Sequence, residues 1–260
     1  MKLGIGISPC PNDVFVFSGW ILGMTAAPAA SFRYEDVETL NQLACTGEFD
    51  LVKISYANAP NCPDSRLLNC GGALGRGCGP LVLTGGAEWD PNREVRVPGE
   101  HTTANYLLDF WAQRPLRKKF VPFDVLYREL KSDPLAQGVV IHEMRFTHAK
   151  DGLRLVQDLG EHWEHETGNP IPLGALAYRA DASLPAAAEI ESAIRRSLDW
   201  AWAHEDEALD LCSQHAQDMT RAVMKAHVDL YVNAFTRDLG HEGRRAADFF
   251  LERLGSSWPL

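Results

Sequence analysis

Three observations predict an α/β fold in two lobes. Short apolar runs of strand character alternate with helical stretches over residues 3–178, and the remainder of the chain is almost wholly helical. Two apolar strand-like segments, Pro80 to Leu83 and Pro170 to Tyr178, flank a middle unit. Residues 1–85 and 175–260 are therefore expected to form a larger discontinuous α/β lobe, with residues 86–174 inserted as a smaller one. The two crossing strands would make a hinge, and the cleft between lobes is the expected place for a small ligand.

Leu3 to Ile7 alternates and reads as the first strand. Ser8 to Asp13 is turn chemistry, with Asn12 or Asp13 able to cap a helix beginning near Val14. Phe32 to Asp36 is a second strand, and Val37 to Thr46 a helix with Glu38 early and Gly47 as its stop. Asp50 to Ser55 is a third strand, and the glycine-rich run from Leu67 to Gly79 leads back to strand at Pro80. In the middle unit, Val95 to Gly99 is a strand and turn, and His101 to Ala104 opens a helix that runs to Trp111. A strand is expected near Phe120 to Tyr127, a short helix at Ser132 to Ala136, and a strand at Val139 to His142. Leu153 to Trp163 closes the unit, and Pro170 to Tyr178 runs back as a strand. Helices follow over Pro185 to Ala203, Glu205 to His215, Met219 to Val232 and Gly243 to Leu254. Ile190, Ile194, Leu198 and Trp202 recur at helical spacing and read as core.

The 260 residues suffice for one large or two modest domains, and 45% hydrophobic with 23% charged residues is a globular composition, which excludes disorder. A net charge of −10 argues against nucleic acid as a partner. The one dense basic run, Arg114 to Lys119, reads as a solvated loop. Met1-Lys2 leads into an alternating strand rather than a signal-peptide core, and no window has the length of a membrane span, so a cytoplasmic protein without a membrane partner is expected. The six cysteines, Cys10, Cys45, Cys62, Cys70, Cys78 and Cys212, form no CxxC pair and are expected as free thiols. Cys10 would be an activated nucleophile only if a helix N-terminus followed it. His162 and His165 miss the i, i+4 spacing of a zincin helix, so no metal is expected.

The segment Gly138-Val139-Val140-Ile141-His142-Glu143 is the strongest chemical signal. A buried strand that delivers one imidazole at its end can place a general base, although a hydrogen-bonded core histidine has the same pattern. Strand alternation would point Glu143 to the opposite face. Three loops would join His142 in the cleft. Ser8 to Asp13 precedes a helix whose N-terminus could seat an anion, with Ser8 and Asn12 as cleft residues, or is a plain capped turn. Lys53 and Ser55 share one face of the third strand and could meet a ligand oxygen, or lie at an exposed strand end. Thr102-Thr103-Ala104 is a second anion seat or a simple threonine cap. The run Gly71 to Gly79 lacks the Lys-Ser/Thr of a phosphate loop and reads as a permissive turn, with Arg76 an ion-pair partner or a rim charge.

Taken in order, these pieces resemble the 1,4-dihydroxy-6-naphthoate synthase family of the futalosine route to menaquinone, whose architecture is shared with chorismate dehydratase. The resemblance runs through Ser8 to Asp13, Asp36 to Asn41, Gly71 to Gly77, Pro98-Gly99 with His101 to Ala104, Ile141 to Glu143 with Arg145 to Thr147, Asp158 to Gly160 with Trp163-Glu164, Pro170 to Gly174 and Tyr231 to Phe235. It implies a type II periplasmic-binding-protein-like fold used as a carbon–carbon lyase. Cyclic dehypoxanthinyl futalosine, a carboxylate-bearing small molecule, would be cleaved to 1,4-dihydroxy-6-naphthoate and a sugar-derived fragment without metal or cofactor. It further implies His142 as proton acceptor and Lys53, Ile54, Ser55, Thr103 and Ala104 as substrate contacts. His148 stands where the family more often has an aromatic residue, and residues 113–120 are unusually basic. The competing readings are a solute-binding module and a chorismate dehydratase. The sequence does not specify an oligomeric state.

Overall fold

The computed structural model describes residues 2–179, 181, 183–216 and 219–255. The chain divides into two compact units, Met1–Gly75 with Pro172–Leu260, and Arg76–Ile171. The first unit opens with β1 (Leu3–Ile7), α1 (Pro11–Ile21), β2 (Ala30–Tyr34), α2 (Val37–Ala44) and β3 (Leu51–Ser55). A 3₁₀ turn (Tyr56–Asn61), β4 (Ser65–Leu67) and β5 (Ala73–Gly75) follow. The second unit carries β6 (Leu81–Thr84), β7 (Val95–Val97), α3 (Thr103–Ala112), β8 (Lys118–Phe120), α4 (Phe123–Ser132), β9 (Gln137–Val140), α5 (Met144–Thr147), β10 (Arg154–Asp158) and α6 (Leu159–Thr167). The chain returns through β11 (Ile171–Arg179) to α7 (Ala187–Ala203), α8 (Glu205–His215), α9 (Arg221–Tyr231), α10 (Ala234–Arg237) and α11 (Gly240–Arg253).

In the first unit the sheet order is β2-β1-β3-β11-β4, with β5 also on β11. β1 runs parallel to β2 and β3, whereas β11 is antiparallel to β3. All five residues of β3 are buried, as expected for a strand with neighbours on both edges. α1 is apolar nearly all round and is sunk among β1, α7, α8 and α9 in one continuous core. Ser197 clips α7 to α1: its hydroxyl donates to the Val16 carbonyl at 2.8 Å and accepts from the Trp20 amide at 3.1 Å. Ile190, Ile194 and Leu198 lie in that core, but Trp202 is 40% exposed and lies edge-on to Phe15.

The second sheet has the order β10-β6-β9-β7-β8. β6 pairs antiparallel with β9 and β10, so it belongs to this unit and not, as expected from residue 85 as a boundary, to the other. The strand expected near Phe120 to Tyr127 is instead the end of β8 followed by α4. Phe123, Leu126, Tyr127 and Leu130 recur at helical spacing, with Leu126 and Leu130 buried against β6 and β9, and this period outweighs the local β character. Residues 133–136 form a turn rather than the expected short helix. α1 begins at Pro11 rather than near Val14, because proline is preorganised for the first helical position and has no amide to leave unsatisfied. β2 ends before Asp36 because that carboxylate caps α2, accepting from the amides of Glu38 and Thr39.

Gly79 shows what the glycine-rich run is for. A Cβ there would lie 2.2 Å from the Gly160 nitrogen, so the chain before β6 passes α6 backbone to backbone. Gly79→Ala is expected to destabilise the protein by about 1–3 kcal/mol through overpacking. A lower urea midpoint at unchanged slope would report this, whereas an unshifted midpoint would contradict the close passage.

Candidate active site

The first group of predicted residues assembles around Asp13 in the first unit. Lys53 and Ser55 lie on one face of β3 and are only 6% and 3% exposed, so this strand end is not a solvated edge. A lysine in the interior requires a partner. Lys53 Nζ donates to Asp13 Oδ1 and lies 3.5 Å from the Gly71 carbonyl oxygen. The same carboxylate accepts from the Ser8 hydroxyl at 2.7 Å and the Ser8 amide at 3.3 Å, and from Asn12 Nδ2 at 2.9 Å. Asp13 therefore does not cap α1; Cys10, buried, holds the N-cap position without a side-chain bond. Ser8 and Asn12 both spend a donor on Asp13, which makes them supports of the ion pair. Gly174 clears the path of the lysine stem, since a Cβ there would meet Lys53 Cε at 2.8 Å.

Asn41, absent from the predicted set, governs Ser55. Its Oδ1 accepts the Ser55 amide at 2.8 Å, which assigns the side-chain amide, so Nδ2 donates to Ser55 Oγ at 3.1 Å. The serine oxygen is thereby an acceptor toward Asn41, and its own proton is directed elsewhere. Lys53 likewise presents a cationic donor, so this strand end suits a ligand that brings acceptor oxygens. Ile54 is fully buried and pairs with Ala175 of β11. Alternation turns its side chain to the face opposite Lys53 and Ser55.

The remaining predicted residues lie in the second unit. Thr102 is the N-cap of α3: its hydroxyl accepts the Asn105 amide at 3.2 Å and donates to the Gly99 carbonyl at 2.8 Å. Thr103 and Ala104, both 3% exposed, follow as the first residues of α3. β9 ends at Val140, two residues short of His142. His142 sits in a turn with φ +63°, a left-handed conformation that costs a non-glycine residue about 1–2 kcal/mol. Its ring meets Phe123 edge-on at 5.2 Å. Glu143 belongs to the same turn and starts α5, so strand alternation does not decide where it points.

Arg145 is the residue that fastens this turn, and sequence reading missed its role. Its guanidinium donates to the Gly79 carbonyl at 2.7 Å and to Asp158 Oδ2 at 2.5 Å. Asp158, 5% exposed, uses its other oxygen to cap α6 through the amides of Gly160 and Glu161. The main chain three residues after His142 is thus tied to the corner where β10 meets α6. Arg76, the other cation singled out from sequence, lies 3.7 Å from Glu164 and donates to the Gly168 carbonyl. Among the described residues no group of three or more His, Cys, Asp or Glu could hold a metal, and no helix is long and apolar enough to cross a membrane.

Residues 3–256 match the family model described as menaquinone biosynthesis. A relative from Streptomyces coelicolor named 1,4-dihydroxy-6-naphtoate synthase is 43% identical, over 98% of this chain and 93% of its own. A Thermus thermophilus protein of the same name is 44% identical, over 94% of this chain and 90% of its own. Among solved structures, a protein of Archaeoglobus fulgidus superposes with a TM-score of 0.90 at 29% identity, covering 98% of this chain and 95% of that one. The alkanesulfonate-binding protein of Xanthomonas axonopodis pv. citri gives 0.69 at 12% identity, over 98% and 94%, and shows a periplasmic-binding-protein-like fold.

Removing one partner of a buried ion pair leaves the other charge uncompensated. Asp13→Ala is expected to cost about 3–5 kcal/mol of stability, read as a large fall in the denaturation midpoint. A loss below about 1 kcal/mol, the range of surface pairs, would show that Lys53 is not held as described.

Proposed function

The chain belongs to the menaquinone-biosynthesis family, and we propose that it is a 1,4-dihydroxy-6-naphthoate synthase with His142 as general base. The observation that carries the activity is the identity of 43% and 44%, over nearly the whole chain, to two relatives of that name. The left-handed turn at His142 supports the base assignment, since backbone strain of this kind persists where the surroundings over-determine it and clusters at active sites.

In this proposal a cytoplasmic lyase cleaves cyclic dehypoxanthinyl futalosine to 1,4-dihydroxy-6-naphthoate and a sugar-derived fragment. The imidazole of His142 takes a proton from a substrate hydroxyl or acidified carbon, as histidine does in general base catalysis. The electrons left behind drive an elimination or retro-aldol-type cleavage, and aromatisation of the released ring supplies driving force. Lys53 and Ser55 donate to the substrate carboxylate, the arrangement their partners leave them fit for. Thr103 and Ala104 contribute amides at the start of α3, and Ile54 contributes through its main chain. Arg145 is a positioning residue: by holding the turn to Gly79 and Asp158 it fixes where the imidazole stands.

The test is turnover of cyclic dehypoxanthinyl futalosine, with the aromatic product followed by mass and absorbance. The wild-type protein forms product. His142→Ala loses a factor of about 10²–10⁴ in kcat while calorimetry shows substrate affinity nearly unchanged. Arg145→Gln loses about tenfold or more in kcat with KM nearly constant, because a misplaced base weakens the chemical step, and Arg145→Lys recovers part of it. An unchanged kcat in His142→Ala removes it as the base. No product from folded wild type, with product from chorismate instead, would move the activity to the dehydratase.

A further inference from the structure

Cys45 and Cys62 lie outside every residue assigned above, yet the fold brings their sulfurs to 3.8 Å. Cys45 is the exposed C-cap of α2, and Cys62 is the buried residue that ends the 3₁₀ turn. A disulfide is about 2.05 Å long, so closure asks for a short approach of two side chains at element ends. Cys10, Cys70, Cys78 and Cys212 are all buried, which leaves Cys45 as the accessible thiol.

The pair is wired to Ser55. The fully buried Asn58 directs Nδ2 toward both sulfurs, at 3.9 Å and 3.8 Å, and donates to the Asn41 carbonyl at 2.8 Å. The Cys45 thiol donates to that same carbonyl at 3.3 Å. Asn41 is the residue whose side chain holds the Ser55 amide and hydroxyl. Burial, reinforced by the neighbouring Cys45, pushes the Cys62 thiol up to about 12, so a peroxide meets the exposed Cys45 first and Cys62 enters only once that sulfur is oxidised.

We propose that Cys45 and Cys62 form a reversible thiol–disulfide pair that a peroxide closes, and that closure disturbs Asn41 and weakens the substrate contact at Ser55. The Cys45 sulfur attacks one peroxide oxygen; the O–O bond breaks, and hydroxide leaves with the Cys45 proton as water. The sulfenic acid on Cys45 is then attacked by the Cys62 sulfur. The S–O bond breaks, and hydroxide leaves with the Cys62 proton as a second water. Two thiols give up two electrons and the peroxide accepts them. The disulfide would remove the Cys45 hydrogen bond to Asn41 and reshape the surroundings of Asn58. The effect on Ser55 rests on the function proposed above; formation of the disulfide does not.

The experiment treats the full chain with hydrogen peroxide and digests it without reduction, then seeks the peptide pair joined through Cys45 and Cys62 by mass. Wild type, Cys45→Ser, Cys45→Ala and Cys62→Ser are compared, and KM is measured on the same samples. The cross-link is expected in wild type alone and is reversed by dithiothreitol. Oxidised wild type shows KM raised about fivefold, the worth of one ordinary hydrogen bond, while Cys45→Ser, which lacks the accessible thiol, shows no change in KM on peroxide treatment. No cross-link, or Cys45 carried to the sulfinic acid with Cys62 still a thiol, overturns the pair. A cross-link with KM unchanged overturns its connection to Ser55. If no variant turns over the substrate, the cross-link still decides the pair, and the failure belongs to the assigned activity.

Discussion

A buried lysine and its carboxylate are the constraint around which the candidate site residues of the first unit are arranged. Taking Lys53 and Asp13 out of water costs several kcal/mol per ion, and their attraction repays this only when the remaining donors and acceptors are satisfied. The sequence supplies that satisfaction from three directions. Ser8 from the β1–α1 loop and Asn12 from the first turn of α1 complete the carboxylate, Gly71 offers its carbonyl to the ammonium, and Gly174 leaves room for the lysine stem. The loop after β1, the end of β3 and the start of the glycine-rich run are thereby held by one electrostatic contact. Such a pair is weak as a device for stability, which points to the ammonium itself as the thing retained.

The second unit solves a different problem by a similar route. His142 takes a left-handed conformation, and, three residues on, Arg145 ties the following chain to Gly79 and Asp158. In both units a local preference is violated, charge burial in one and backbone conformation in the other. In both, neighbouring polar groups make up the cost. Departures of this kind concentrate at functional sites in natural proteins.

The legible parts of the sequence were those where one period dominates. The alternation of Leu3 to Ile7, the run Leu51 to Ser55 and the helical stripe of Ile190, Ile194 and Leu198 all form the elements their spacing predicts. Tyr127 and its neighbours were misread because β-forming residues there sit at helical spacing, and burial against β6 and β9 settles the competition. Asp13 looked like a cap because aspartate near a helix start usually is one, whereas a lysine in the apolar run of β3 was the signal that a buried carboxylate must exist. The apolar run that ends at His142 makes it a candidate base, but its left-handed turn is not legible, since nothing local in Ile141-His142-Glu143 demands positive φ. Asn41 and Arg145 act through partners 14 and 66 residues away, and no single-sequence pattern encodes those contacts.

On the function proposed above, Lys53 is buried for its charge and not for stability. The most direct measurement replaces the pair by apolar residues of similar volume, Asp13→Leu with Lys53→Met, and determines both unfolding free energy and affinity for cyclic dehypoxanthinyl futalosine. The expected result is a folded protein less destabilised than Asp13→Ala, since no buried ammonium is left uncompensated, that has lost most of its affinity for the substrate. A double variant that is several kcal/mol less stable yet binds the substrate normally would contradict it.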